Sequence, residues 1–203
     1  MARIFVDLDD VLAQTGRMFL AVLEEEFGRR VELEEMRSYH LGESLGLDDT
    51  GLGEFLAATH RPERLLSIEP MPGAADALAA WIAAGHEVVV VTGRPPGALA
   101  STRGWLARWR IPHTELHLLD KYSDFYDGAH GTPEGVWSLD DLARQGFVFA
   151  VEDFPGTARH LAEELAVPVA LFDRPWNRGV REDARLARCR SWAEVRRRFA
   201  ALP

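Results

Sequence analysis

The stretch "RIFVDLDDVLAQT", Arg3 to Thr15, puts Asp7, Asp9 and Asp10 directly behind the apolar run Ile4-Phe5-Val6. Carboxylates at the end of a core strand are costly to bury unless something neutralises them. Asp7 and Asp9 are two positions apart, so on an extended chain their side chains point to one side and repel unless a cation or a shared proton intervenes. A hard divalent ion such as Mg²⁺ meets that need, because it takes oxygen ligands, commonly one or two carboxylates together with substrate phosphate. Read by itself, the stretch fits a turn or helix-cap cluster equally well, since Asp is common where strands end and helices begin.

Working outward, further apolar runs stand at 87–92 ("EVVVVT"), 115–119 ("ELHLL"), 147–151 ("FVFAV") and 167–172 ("VPVALF"). Most lack polar alternation, as strands buried on both faces do. Between them, helical patterns at 73–84, 97–109 and 156–166 each follow a proline, a residue favoured in the first helical turn. Strand-helix alternation predicts an α/β fold built on a parallel sheet, with its chemistry at the carboxyl ends of the strands. Residues 16–68 interrupt the alternation. Helical patterns near 16–27, 31–37 and 51–58 follow one another without a strand, which predicts a small α-helical cap inserted after the first strand. The expected division is a core of 1–15 and 69–203 and a cap of 16–68. The arginine-rich tail "REDARLARCRSWAEVRRRF" reads as a solvated helix face.

Composition narrows the function. The 203 residues are 47% hydrophobic, enough for a substantial core, and the formal charge of −9 argues against a nucleic-acid polymer as partner. A single cysteine, Cys189, excludes an internal disulfide or a multi-cysteine zinc site and suits a reducing compartment. Neither a signal peptide nor a membrane span is visible, and the expectation is a cytoplasmic protein without a membrane partner.

Three other strand ends carry chemistry. "VVVVTGRPP" ends in Thr92, Gly93 and Arg94, a hydroxyl, a permissive backbone and a guanidinium suited to an anion. "FVFAVEDFPGTA" ends in Glu152 and Asp153, which can complete a metal shell. Each alone also fits an ordinary turn or cap. "HLLDKYSD" holds Lys121, the only lysine in a chain of 22 arginines. A compact ammonium at that position suits bridging a carboxylate and a phosphate.

In order, the DxDxV at 7–11, the strand ending in Thr92, then Lys121, then the acidic pair 152–153 resemble the four motifs of the haloacid dehalogenase superfamily. The resemblance implies a Rossmann-like core and Mg²⁺-dependent phosphomonoester hydrolysis. Asp7 would be the nucleophile that becomes an aspartyl phosphate, and Asp9 the acid and base. Thr92 and Lys121 would hold phosphoryl oxygens. Asp7, the Asp9 carbonyl and Asp153 would bind the metal, with Glu152 beside them. Asp9 favours a phosphatase over a dehalogenase, because an alkoxide leaving group needs an acid and a halide does not.

Nearly end to end, "IEPMPGAADAL", "LFDRPWNRGV" and "RSWAEV" are similar to the 5′(3′)-deoxyribonucleotidase branch. That similarity implies a small phosphorylated metabolite as partner, specifically a (deoxy)nucleoside monophosphate. A non-nucleotide phosphate, or a non-catalytic binding module of the same fold, is the alternative. The chain departs from the branch at Asp10, where glycine is usual, at Thr15, where an aromatic lines the base pocket, and at "TGRP", which replaces "TSP". Glu152 replaces an aspartate, and about 30 residues separate Lys121 from the acids. Tyr39 in "RSYHL" stands where the resemblance expects a base-stacking ring; from its residues alone that position fits cap packing as well. His40 and His60 read as structural or exposed.

Overall fold

A computed structural model describes residues 1–121 and 134–202. Six strands form one sheet in the order β3-β2-β1-β4-β5-β6, with every neighbouring pair parallel. They are β1 (Arg3–Asp7), β2 (Glu87–Thr92), β3 (Glu115–Leu118), β4 (Phe149–Glu152), β5 (Val169–Phe172) and β6 (Leu186–Cys189). This is the doubly wound order 3-2-1-4-5-6, in which the chain reverses direction across the sheet between β1 and β4 and leaves a crevice at their carboxyl ends. Asp7 ends β1 and Glu152 ends β4, so the crevice sits between the first and last motifs.

The absence of alternation in the strand sequences has its counterpart in burial on both faces. Ile4, Phe5 and Val6 are fully buried, as are Val88 to Val91, and their alternate side chains join two separate cores. One face is covered by α5 (Ala74–Ala83), α6 (Leu99–Arg108) and α8 (Trp192–Ala200) through Trp81, Trp105 and Trp192.

Helices α1 (Thr15–Phe27), α2 (Leu41–Leu45), α3 (Asp49–Thr59) and α4 (Pro62–Ser67) intervene between β1 and β2. The Asp48 carboxylate caps α3 by accepting the Gly51 N–H, and Pro62 opens α4. Trp105 ties this group to the sheet. It is fully buried on α6 and donates its indole N–H to the Ile68 carbonyl at 2.8 Å. Trp105→Ala is expected to cost about 3–5 kcal/mol, the usual range for emptying a buried aromatic site, measured by denaturant unfolding; a cost below about 1 kcal/mol would show that α6 does not carry this junction.

The sequence expectations need three corrections. The 31–37 helix is only a 3-10 turn at Leu33–Glu35, held by a reciprocal Glu32/Glu35 cap. The 156–166 helix is α7 (Pro155–Arg159) followed by a wider π turn at His160–Glu164. The arginine-rich tail contains β6 before its helix, so its Leu186–Cys189 stretch completes the sheet rather than lying in solvent. The segment 122–137 falls outside the described residues except for its end, where the Trp137 backbone pairs with Leu118 and Asp120. Among the described residues, no helix is long and apolar enough to cross a membrane.

Candidate active site

Strand ends bring four of the sequence-predicted residues together. Lys121 Nζ donates to Asp7 Oδ1 at 2.6 Å and to Glu152 Oε2 at 2.8 Å, and all three are buried. Carboxylate oxygens of Asp7, Glu152 and Asp153 lie within 4.8 Å of one another. Burial first, then the Glu152 charge, holds the Asp7 carboxyl well above its usual range, with Lys121 opposing. Burial and Glu152 push Asp153 the same way. Ionised, these three buried carboxylates would face one ammonium with an excess of two negative charges, so the charged state of the cluster calls for a cation.

The free valences fit one. Glu152 is fully engaged, its second oxygen accepting the backbone N–H groups of Asp153 and Phe154. Asp153 Oδ2 accepts the Trp176 indole N–H at 2.8 Å, whereas buried Asp153 Oδ1 has no hydrogen-bond partner among the described residues. An unpaired anionic oxygen beside two other carboxylates suits a hard divalent ion.

Asp9 stands apart from this cluster. Arg94, itself buried, donates from Nε to both Asp9 oxygens at 3.1 and 3.0 Å and from Nη2 at 2.6 Å, and its Nη1 reaches Thr102. The Thr15 hydroxyl donates to Asp9 Oδ1, and the Thr92 hydroxyl to Oδ2 at 3.4 Å. Burial favours the protonated form of Asp9, but Arg94 and Thr15 outweigh it and hold the carboxyl below the usual range. Thr15, which departs from the aromatic of the branch, thus fixes the carboxylate and also lines the cavity. Arg94 is committed to Asp9.

Asp10 has a left-handed backbone, φ 56°, the conformation for which glycine is the ordinary choice. Its carboxylate accepts the Gly16 N–H, its carbonyl accepts two donors from Arg174, and burial pushes its carboxyl up to about 7. These local contacts compensate for the strained conformation.

A cavity of about 570 Å³ opens between the helices of residues 15–67 and the strand ends. Asp9, Arg94 and Gly93 line its floor side, and Tyr39, Phe19, Leu41, Leu52, Leu56 and Trp176 are among its walls. The Tyr39 ring lies 4.4 Å from Phe154 and 6.2 Å, edge-on, from Trp176. Asp7, Lys121, Glu152 and Asp153 are not on the cavity wall; they are buried beside it. His60 lines the cavity with Nδ1 on the Leu56 carbonyl, and His40 does not line it. Arg174, Trp176 and Asn177 belong to this site yet were seen in the sequence only as part of "LFDRPWNRGV"; the available signal was the position of "DRPWN" behind another apolar strand.

The family model described as 5′ nucleotidase, deoxy (pyrimidine), cytosolic type C protein matches residues 1–124, more than half of the chain. "Putative nucleotidase BH1399" of Halalkalibacterium halodurans is 23% identical over 194 residues, 96% of this chain and 90% of the relative. "Putative nucleotidase YqfW" of Bacillus subtilis is 23% identical over 196 residues, 96% of this chain and 92% of the relative. Among solved structures, a predicted phosphatase from Clostridium acetobutylicum superposes with a TM-score of 0.65 at 13% identity, covering 99% of both chains. A haloacid dehalogenase family hydrolase from Deinococcus radiodurans superposes at 0.56 and 18% identity, covering 98% of this chain and 95% of its own; these two share the fold. The chain therefore belongs to the 5′ nucleotidase, deoxy (pyrimidine), cytosolic type C family, and it is a phosphatase.

Proposed function

We propose that this phosphatase hydrolyses (deoxy)nucleoside monophosphates in a Mg²⁺-dependent reaction through an aspartyl phosphate on Asp7. The observation that carries the proposal is the buried group of Asp7, Lys121, Glu152 and Asp153 at the switch point of the sheet, with one Asp153 oxygen unpaired. Asp7, the Asp9 carbonyl and Asp153 would hold Mg²⁺, which when bound offsets the negative charge of the phosphoryl group. The Deinococcus hydrolase of the same fold carries bound phosphate and sodium, a combination this donor set also suits.

In the first half-reaction an Asp7 oxygen attacks phosphorus and the bond to the leaving oxygen breaks, while Asp9 gives that oxygen a proton. Lys121 and Thr92 hold the non-bridging oxygens. In the second, Asp9 takes a proton from water, the water oxygen attacks phosphorus, and phosphate leaves with Asp7 restored. The resting Asp9, held ionised by Arg94 and Thr15, is ready for the second role. A dianionic phosphate beside it raises its proton affinity, which suits it to the first. Because Asp7 is only 3% exposed, substrate entry in this mechanism needs the cap, proposed as residues 16–68, to part from the core of 1–15 and 69–203.

The choice of substrate rests on the cavity. Its walls are mostly apolar with aromatic rings at hand, and its charged residues, Asp9, Asp10 and Arg94, come from the strand-end segments that serve the phosphate. Such a surface suits a flat, uncharged leaving group and suits a polyhydroxylated sugar poorly. A panel of nucleoside monophosphates against sugar phosphates tests this; sugar phosphates turned over faster than every nucleotide would refute the nucleotide assignment and leave the phosphatase standing. If Tyr39 stacks the base, Tyr39→Ala weakens nucleotide binding by about 1–3 kcal/mol and changes hydrolysis of a small ringless phosphomonoester much less. Equal effects on both would mean the ring only packs against Phe154.

A further inference from the structure

Asp153 is held from two directions by one short turn. After β5 the chain forms a 3-10 turn at Pro175–Asn177, opened by Pro175 and closed by the Asn177 carboxamide accepting the Arg174 N–H. Asn177 is fully buried, and its Nδ2 donates to the carbonyls of Asp153 and Phe172 at 2.9 and 2.8 Å. Arg188 on β6 donates to Asn177 Oδ1 and pairs with Asp173 at 3.0 Å, fixing the turn to the sheet. The turn therefore has little freedom, and Trp176 at its centre inherits that rigidity. The Trp176 indole N–H then occupies Asp153 Oδ2, and the buried Asp153 Oδ1 is left with no hydrogen-bond partner among the described residues.

We infer that Trp176 is the positioning residue for the metal ligand Asp153: its single N–H holds one carboxylate oxygen so that the other is presented to the cation, while its ring forms part of the cavity wall. The inference rests on the metal-dependent mechanism above and extends it to a residue outside the four strand-end motifs. Partners that orient metal ligands are characteristically worth about 10–100-fold in metal affinity. A Trp serving only as a wall would be replaceable by any aromatic of similar reach. The two roles therefore separate chemically.

The test is calorimetric titration of Mg²⁺ into the metal-free full chain, with no substrate present, so the result does not depend on which phosphomonoester the cavity takes. Trp176→Phe keeps an aromatic wall and deletes the donor; it is expected to weaken Mg²⁺ binding about 10–100-fold, with a metal-free Tm close to the wild type. Trp176→His places Nε2 on the same branch of the ring as the indole nitrogen and is expected to restore part of the affinity. In turnover, the Phe variant is expected to recover kcat as Mg²⁺ is raised, which loss of a mere wall would not produce. Wild-type affinity in Trp176→Phe overturns the inference and leaves the metal site standing; absence of Mg²⁺ binding by the wild type overturns both. If the Phe variant melts too low to titrate, Trp176→His against Trp176→Met makes the same comparison, and equal affinities there overturn the inference.

Discussion

Asp7→Asn is expected to lower turnover by about 10³-fold or more, the scale on which nucleophile deletions act, while leaving the protein folded. Asn keeps the size of the side chain and replaces one carboxylate oxygen with an amide nitrogen, so no cavity opens at the end of β1. Lys121 retains Glu152 as its partner at 2.8 Å. Removing one of three crowded carboxylates also relieves repulsion, so the metal-free variant is expected to melt no lower than the metal-free wild type. Phosphate release under saturating substrate measures the first effect and calorimetry the second. A turnover loss below tenfold would contradict covalent catalysis by Asp7, whatever the stability.

The same physics decides what was legible in the sequence. Buried parallel strands write themselves as uninterrupted apolar runs, and the side chains of the candidate site gather where those runs stop; the positions of Asp7, Thr92, Lys121 and Glu152-Asp153 were legible for that reason. Strand β6 was not, because "LARC" is short and its Arg188 faces inward to Asp173 and Asn177, a burial made possible by partners distant in sequence. The pairing of Arg94 with Asp9 was hidden similarly: a guanidinium behind a strand reads as an anion holder, and only the fold reveals that a carboxylate 85 positions away takes it. Asp10 carried a usable signal. A residue in a position where glycine is usual points to positive φ, and the backbone there has φ 56°. Trp176 obeyed the strand-end rule too, but an indole is not ordinarily counted among candidate site residues, and its role depends on a hydrogen bond to Asp153, 23 positions distant.

Removing divalent metal is expected to abolish turnover and to change how stability depends on pH. Asp7 and Asp153 titrate well above 3.8 in the folded chain, and Asp10 near 7, chiefly because burial disfavours their charged forms. Groups raised in this way stabilise the fold while protonated, and that stability is lost as pH rises through their folded values. Asp9 and Glu115 are lowered instead, so their stabilising effect is already complete above about pH 5 and does not offset the trend. The chelated protein should therefore lose Tm between about pH 5 and pH 7. In the proposed site Mg²⁺ would bind the ionised carboxylates of the folded state, so its affinity is expected to rise over the same interval. At about 100 times its Kd it adds about 2.7 kcal/mol, equivalent to about 5–11 °C in Tm for a chain of this size. Melting curves with EDTA and with Mg²⁺ at both ends of that interval give the four values required. A chelated Tm that climbs with pH, or turnover that survives chelation, would rule out this cluster as the metal site.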